Sequence, residues 1–174
     1  IDAIGAWDQW RLEEANDLLR RAESLASSLA ARGFVIRCHL RSWFDPSQTD
    51  SRCRLADQLV ELGRRSSDPT IRAYGHRWGV ITGFDAADLA GVEGHLDALY
   101  FLAQQERDLW HEWFVLTRRV ALGVARGRFD IAEAALASSA ELAEILETPY
   151  VNHTQAGVEF LVSSLRGRPV PDRA

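Results

Sequence analysis

The chain has 174 residues, 47% hydrophobic and 26% charged, which excludes disorder and leaves room for a sizeable core within one domain. Its formal charge of −5 gives no global basic field for phosphate backbones, so direct nucleic-acid contact by this segment is not expected. No stretch reaches the roughly 18 unbroken apolar residues of a membrane span, and residues 1–30 lack a signal-peptide layout. All twenty basic residues are arginine, which reads as the codon bias of a GC-rich genome. Methionine is absent, so residue 1 is not expected to be a translation start, and the chain is expected to be part of a longer polypeptide. Cys38 and Cys53 fit neither C-x-x-C nor zinc spacing. Two reduced thiols are the default, with a disulfide between them as the alternative.

After a poorly defined lead-in, Leu12, Ala15, Leu18, Leu19, Ala22, Leu25, Ala26 and Leu29 recur at helical spacing. They predict a helix from Trp10 to Ala31, broken at Gly33. Residues 34–44 read as a second, more buried helix, with a short strand as the alternative because of Val35 and Ile36. Asp45 to Ser51 is dense in turn formers and predicts a loop. Arg52 to Arg65 then reads as a helix, followed by residues 70–82, with Ile71, Tyr74, Trp78 and Ile81 on one stripe.

The spacing predicts another helix from Asp85 to Glu106, in which Gly91 and Gly94 are packing positions. The most aromatic helix runs from Asp108 to Ala125. Ile131 to Leu146 is rich in alanine, with Ser139 the one polar member of its inward stripe. Tyr150 to Leu165 closes the array, and residues 166–174 read as a tail or linker. The count is about eight helices and no convincing strand. The domain organisation is a single repeat domain over 1–165, with an N-terminal hairpin (1–44), a loop (45–51) and repeats (52–165).

Punctuation between the helices carries the strongest signal. Gly127-Arg128-Phe129-Asp130 ends one helix at a glycine suited to the left-handed conformation, and Asp130 sits in the first turn of the next. Gly83-Phe84-Asp85 predicts the same turn earlier, and Gly167-Arg168-Pro169 a weaker copy. Asp68-Pro69 and Thr148-Pro149 each set a side-chain cap beside a proline at the first helical position. They lie 80 positions apart, two repeats of about 40, within the range of two-helix repeats.

The Gly-Arg-Phe-Asp-Ile-Ala-Glu-Ala turn and these landmarks, from about Leu55 to Gly167, resemble the TPR-like helical repeats of bacterial regulators. The nearest resemblance is to the repeat region of large actinobacterial LuxR-type, ATP-dependent transcriptional regulators, and to proteins that pair such repeats with a nucleotide cyclase. The units are longer than a 34-residue TPR and do not fill all its consensus positions. The resemblance implies an all-α, TPR-like α-solenoid of antiparallel helical hairpins, placed in the cytoplasm beside an ATPase or DNA-binding module. That ATPase lies outside this chain, which has no lysine for a phosphate-binding G-x-x-x-x-G-K-[ST].

The chemistry-bearing residues support no enzyme. His39, His76, His95, His111 and His153 form no H-x-x-x-H pair, so no metal site is expected; His95 and His111 flank one hairpin and are the pair to inspect. Paired carboxylates and serines lie on helix faces without catalytic context. No catalytic residue and no cofactor is assigned.

Six tryptophans include Trp110 and Trp113, which bracket His111 at a helix start. With Trp78, Arg77 and Arg118 they form the candidate binding set, aromatic anchors beside arginine, against the plainer reading of core packing. The expected function is a non-catalytic module that binds a protein or peptide partner or a small effector and relays this to attached domains. Self-association as a homodimer scaffold is the alternative, and a helical domain of an enzyme is a further one.

Overall fold

Eight α-helices, and no strand, make up the described residues of the computed structural model, 12–42 and 48–168. They are α1 (Leu12–Leu25), α2 (Leu29–Ser42), α3 (Thr49–Ser66), α4 (Pro69–Asp85), α5 (Leu89–Glu106), α6 (Leu109–Ala125), α7 (Phe129–Leu146) and α8 (Pro149–Leu165). From α2 onward every helix starts 20 residues after the one before it, at 29, 49, 69, 89, 109, 129 and 149. A hairpin of two helices is therefore 40 residues long, as the cap spacing predicts.

The turns keep the same interval. Ser67, Ala87, Arg107, Gly127, Glu147 and Gly167 all have positive φ, between 46° and 69°. This left-handed residue lets the chain leave a helix and reverse. The residue after it donates its N–H to a carbonyl five positions back: Asp68 to Gly63, Asp88 to Gly83, Asp108 to Ala103, Arg128 to Gly123 and Arg168 to Ser163, at 2.8–3.2 Å. At Gly63, Gly83 and Gly123 the acceptor is a glycine because the next helix crosses there. A Cβ on Gly63 would lie 2.5 Å from the backbone nitrogen of Arg72. Side-chain caps then restart most helices: Ser28, Asp68, Asp88, Asp108 and Thr148 each accept a backbone N–H in the first turn. Arg128 supplies no such bond, and α7 relies on Asp130 in its first turn.

Three boundaries differ from the sequence reading, two of them through glycine. The first break lies at residues 26–28, where Ser28 caps α2, and Gly33 sits inside that helix. Its missing side chain admits Ile71 and Leu62, whose methyl groups would stand 3.1 and 3.3 Å from a Cβ. Gly83 likewise does not end a helix: it is buried within α4, where a Cβ would meet Val92 at 2.8 Å, and the turn falls at Ala87. Glycine serves both turns and close approaches, and its type alone does not separate them. The loop expected over 45–51 ends by Thr49, where α3 begins, and its residues 45–47 lie outside the described residues. Residues 34–42 are helical, not strand. Trp7, Trp10, Trp43 and residues 169–174 lie outside the described residues.

The chain divides within α5 into two compact units, Ile1–His95 and Leu96–Ala174. In the first unit α2 packs on α1 and α3, α3 packs on α4, and α2 also touches α4. Its core holds Leu40, Leu59, Leu62 and Ile71, each contributing about 2 kcal/mol by leaving water. In the second unit α7 packs on α6 and α8, and α6 also touches α8. Val120, Ala132, Ala135, Val158 and Val162 form that core. Ser139, expected against a facing helix, is fully buried and donates to the Leu136 carbonyl at 2.9 Å.

Candidate binding site

The 40-residue interval places matching residues on alternate helices. On α2, Phe34, Arg37, Cys38 and Arg41 follow the three-and-four spacing of one helix face. Forty positions later, Tyr74, Arg77, Trp78 and Ile81 occupy the same register on α4. These eight side chains together line a cavity of about 360 Å³ in the first unit.

Two arginines lean on the aromatic floor of this cavity. The Arg37 guanidinium carbon stands 3.5 Å from the centre of the Tyr74 ring, and that of Arg77 stands 5.8 Å away. Arg41 is exposed beside them. Among the described residues the lining holds three guanidinium groups. Cys38 is a free thiol and Cys53 is also unpaired, so no disulfide joins them. Burial pushes the Cys38 thiol up from its ordinary range, while Arg37 and Arg41 pull it back.

The third copy of the register, on α6 in the second unit, is closed. Phe114 is 1% exposed, and Arg118 lies over its ring at 4.8 Å. Trp110 stacks on Phe114 with centroids 5.8 Å apart, and Tyr150 from α8 stacks on Trp110 at 6.5 Å. Burial draws Arg118 below its ordinary value, and a hydrogen bond with the Tyr150 side chain opposes that drift. Where the first unit has space, the second has aromatic rings.

The six expected site residues thus fall into two groups. Arg77 and Trp78 line the cavity. Trp110 and Arg118 belong to the aromatic stack of the second unit. Trp113 does not line a groove: it is 0% exposed, and its indole N–H donates to the buried Gln155 at 3.3 Å. His111 is buried too, held by Asp108 at 2.5 Å between its Nδ1 and Oδ2. Burial alone would raise the Asp108 carboxyl, but hydrogen bonds from His111 bring it below its ordinary value.

His95, singled out in the sequence, pairs with His76 within the first unit. Their Nδ1 atoms are 3.1 Å apart, so one ring donates and the other accepts. Gly79 makes room for the His95 ring, which would stand 2.5 Å from a Cβ there. Burial, His95 and Arg72 push His76 down to about 4. Burial also lowers His95, against the pull of Asp57 and Asp88. No cluster of three or more metal-ligating side chains occurs among the described residues.

Phe34, Arg37, Arg41 and Tyr74 escaped the sequence reading as site residues. The signal that would have found them is the 40-residue offset applied to Arg77 and Trp78. No helix among the described residues is long and apolar enough to cross a membrane. No protein-family model, curated protein or solved structure matches the chain.

Proposed function

We propose that the chain is a non-catalytic, TPR-like helical-repeat module of a cytoplasmic bacterial transcriptional regulator. It binds a protein partner or small effector and relays that binding to attached domains. The observation that carries this reading is the fixed 20-residue interval of helix starts and left-handed turns, which builds hairpins of one length. Stacked hairpins of equal length form a solenoid, and solenoids bind along the face that their alternate helices share. Binding in such a groove would change how neighbouring hairpins lean on each other, and that change would reach whatever the array is joined to. The regulator context comes from the resemblance of the repeat turn.

Native mass spectrometry of the 174-residue chain, as purified and after gentle desalting, tests the reading. A monomer that retains a small molecule, or that captures a partner domain of the same polypeptide, is the expected result. A bare dimer would instead favour the scaffold. That second reading draws on α8, the last described helix, where Tyr150, Phe160 and Leu165 are each more than half exposed.

A further inference from the structure

We infer that the open face of α8 is the docking surface for one further helix of the same array, running on from Pro169. The inference rests on the repeat-module reading of the proposed function, and on neither of its ligand choices.

The 40-residue register shows what this face does elsewhere. Leu40 on α2, Val80 on α4 and Val120 on α6 occupy one position, and each is 0% exposed. In every case the helix that follows lies against this face. Leu40 shares a cluster with Leu59 of α3, and Val120 shares one with Ala132 and Ala135 of α7. Beside Val80, Gly79 and Gly83 receive His95 and Val92 of α5. The fourth copy of the position is Phe160, which is 56% exposed. Its whole stripe is open: His153, Gly157, Phe160 and Ser164 follow three-and-four spacing, and all are exposed. A phenylalanine left in water forgoes the burial that makes repeats stack. Other exposed apolar residues differ. Ile145 on α7 is exposed, but its counterparts Arg65 and Gln105 are exposed too, so that side is the outer face of the repeat.

The turn after α8 names the occupant. Each earlier left-handed residue, from Ser67 to Glu147, leads into a helix that starts two positions later. Gly167 repeats that turn, and Arg168 repeats its bond by donating its N–H to the Ser163 carbonyl at 2.9 Å. Arg166 and Arg168 both reach Glu133 at 3.1 Å, which anchors the turn to α7. The sequence then sets Pro169 at the position where Pro69 and Pro149 open α4 and α8. The chain therefore leaves α8 as it leaves each helix that its successor covers. The cover is a helix in cis, not a second copy.

Thermal unfolding and sedimentation of two chains test the inference: the 174 residues alone, and the same residues followed by a copy of residues 135–148. The copy keeps the 40-residue offset and supplies the part of α7 that packs on α6. The lengthened chain is expected to stay monomeric and to melt about 4 °C or more higher. Phe160→Ala is expected to lower that midpoint by about 5 °C or more, yet to move the 174-residue chain by less than about 1 °C. Ile145→Ala, on the outer face, should move both chains alike.

Equal midpoints for the two chains overturn the inference, as does a Phe160→Ala shift that is the same in both. A 174-residue chain that sediments as a dimer, and as a monomer with Phe160→Ala, overturns it too, because a second copy then holds the face. Retention of a small molecule is independent of all these results, so the module reading can stand where this inference falls.

Discussion

The two units use one register in opposite ways. In the first, the faces of α2 and α4 meet through Arg37 on Tyr74 and leave a cavity of about 360 Å³ beside that contact. In the second, the same face of α6 is covered by Trp110 and Tyr150, and its single arginine, Arg118, is folded onto Phe114. The residue four positions before each of these aromatics accounts for much of the difference: it is Ala30 before Phe34 and Thr70 before Tyr74, but Trp110 before Phe114, and Tyr150 from α8 adds a further ring. Repetition fixes where side chains point, and their size decides whether that place is a site or a core.

The largest test of this contrast is truncation of one indole in each unit. Trp113→Ala is expected to cost about 3–5 kcal/mol, because it empties a fully enclosed position and leaves Gln155 without its donor. Trp78→Ala removes a partly exposed cavity wall and is expected to cost about 1 kcal/mol. Urea unfolding followed by circular dichroism measures both, and comparable losses would erase the distinction between wall and core.

Acid should separate the units next. The His76–His95 pair lies in the first unit, and the corresponding positions of the second, Leu116 and Ala135, do not titrate. His76 has a folded value of about 4 against an ordinary 6.5, so the fold favours its neutral form. Its contribution is complete above pH 6.5 and is lost as pH falls from 6.5 toward 4, where the unfolded chain binds the proton more readily. Amide-exchange protection factors in α4 are therefore expected to fall between pH 7 and pH 5 before those in α6, and His76→Gln should flatten that trend. Parallel loss in both helices would contradict it.

Glycines sharpen the comparison at smaller scale. Gly79→Ala is expected to cost about 1–3 kcal/mol, since the added carbon meets a His95 ring held in place by His76. Gly94→Ala meets nothing within 4 Å and is expected to stabilise by about 0.5–1 kcal/mol through helix propensity. Thermal midpoints of the two variants should move in opposite directions. The turns give the smallest pair: Ala87→Gly should stabilise, and Gly127→Ala destabilise, each by about 1 kcal/mol, because both residues hold the left-handed conformation. Shifts of the same sign would show that the two turns are not equivalent.

Much of the fold was legible in the chain. The apolar stripes gave the helices, and Asp68-Pro69 and Thr148-Pro149 gave two caps, both of which accept first-turn N–H bonds. Gly127 does hold the left-handed turn. The full interval was hidden because Ser67, Ala87, Arg107 and Glu147 fill the equivalent turns, and none of these residues advertises positive φ. Packing imposes that conformation on them against local preference.

The candidate site was legible only in part. Arg77 and Trp78 could be picked out as an aromatic and a cation together. Their partners, Phe34 and Arg37, become visible only when α2 and α4 are laid in register. Trp113 was misplaced because a ring suited to a groove is equally suited to a core, and burial is a property of the packed helices rather than of the residue.

The most direct test of the contrast between an open and a filled register is the indole N–H spectrum of the 15N-labelled chain transferred into D2O. The partly exposed Trp78 is expected to exchange first, while Trp113, enclosed and bonded to Gln155, stays protected. Exchange of Trp113 as fast as that of Trp78 would contradict the account, because the second unit would then be no more filled than the first.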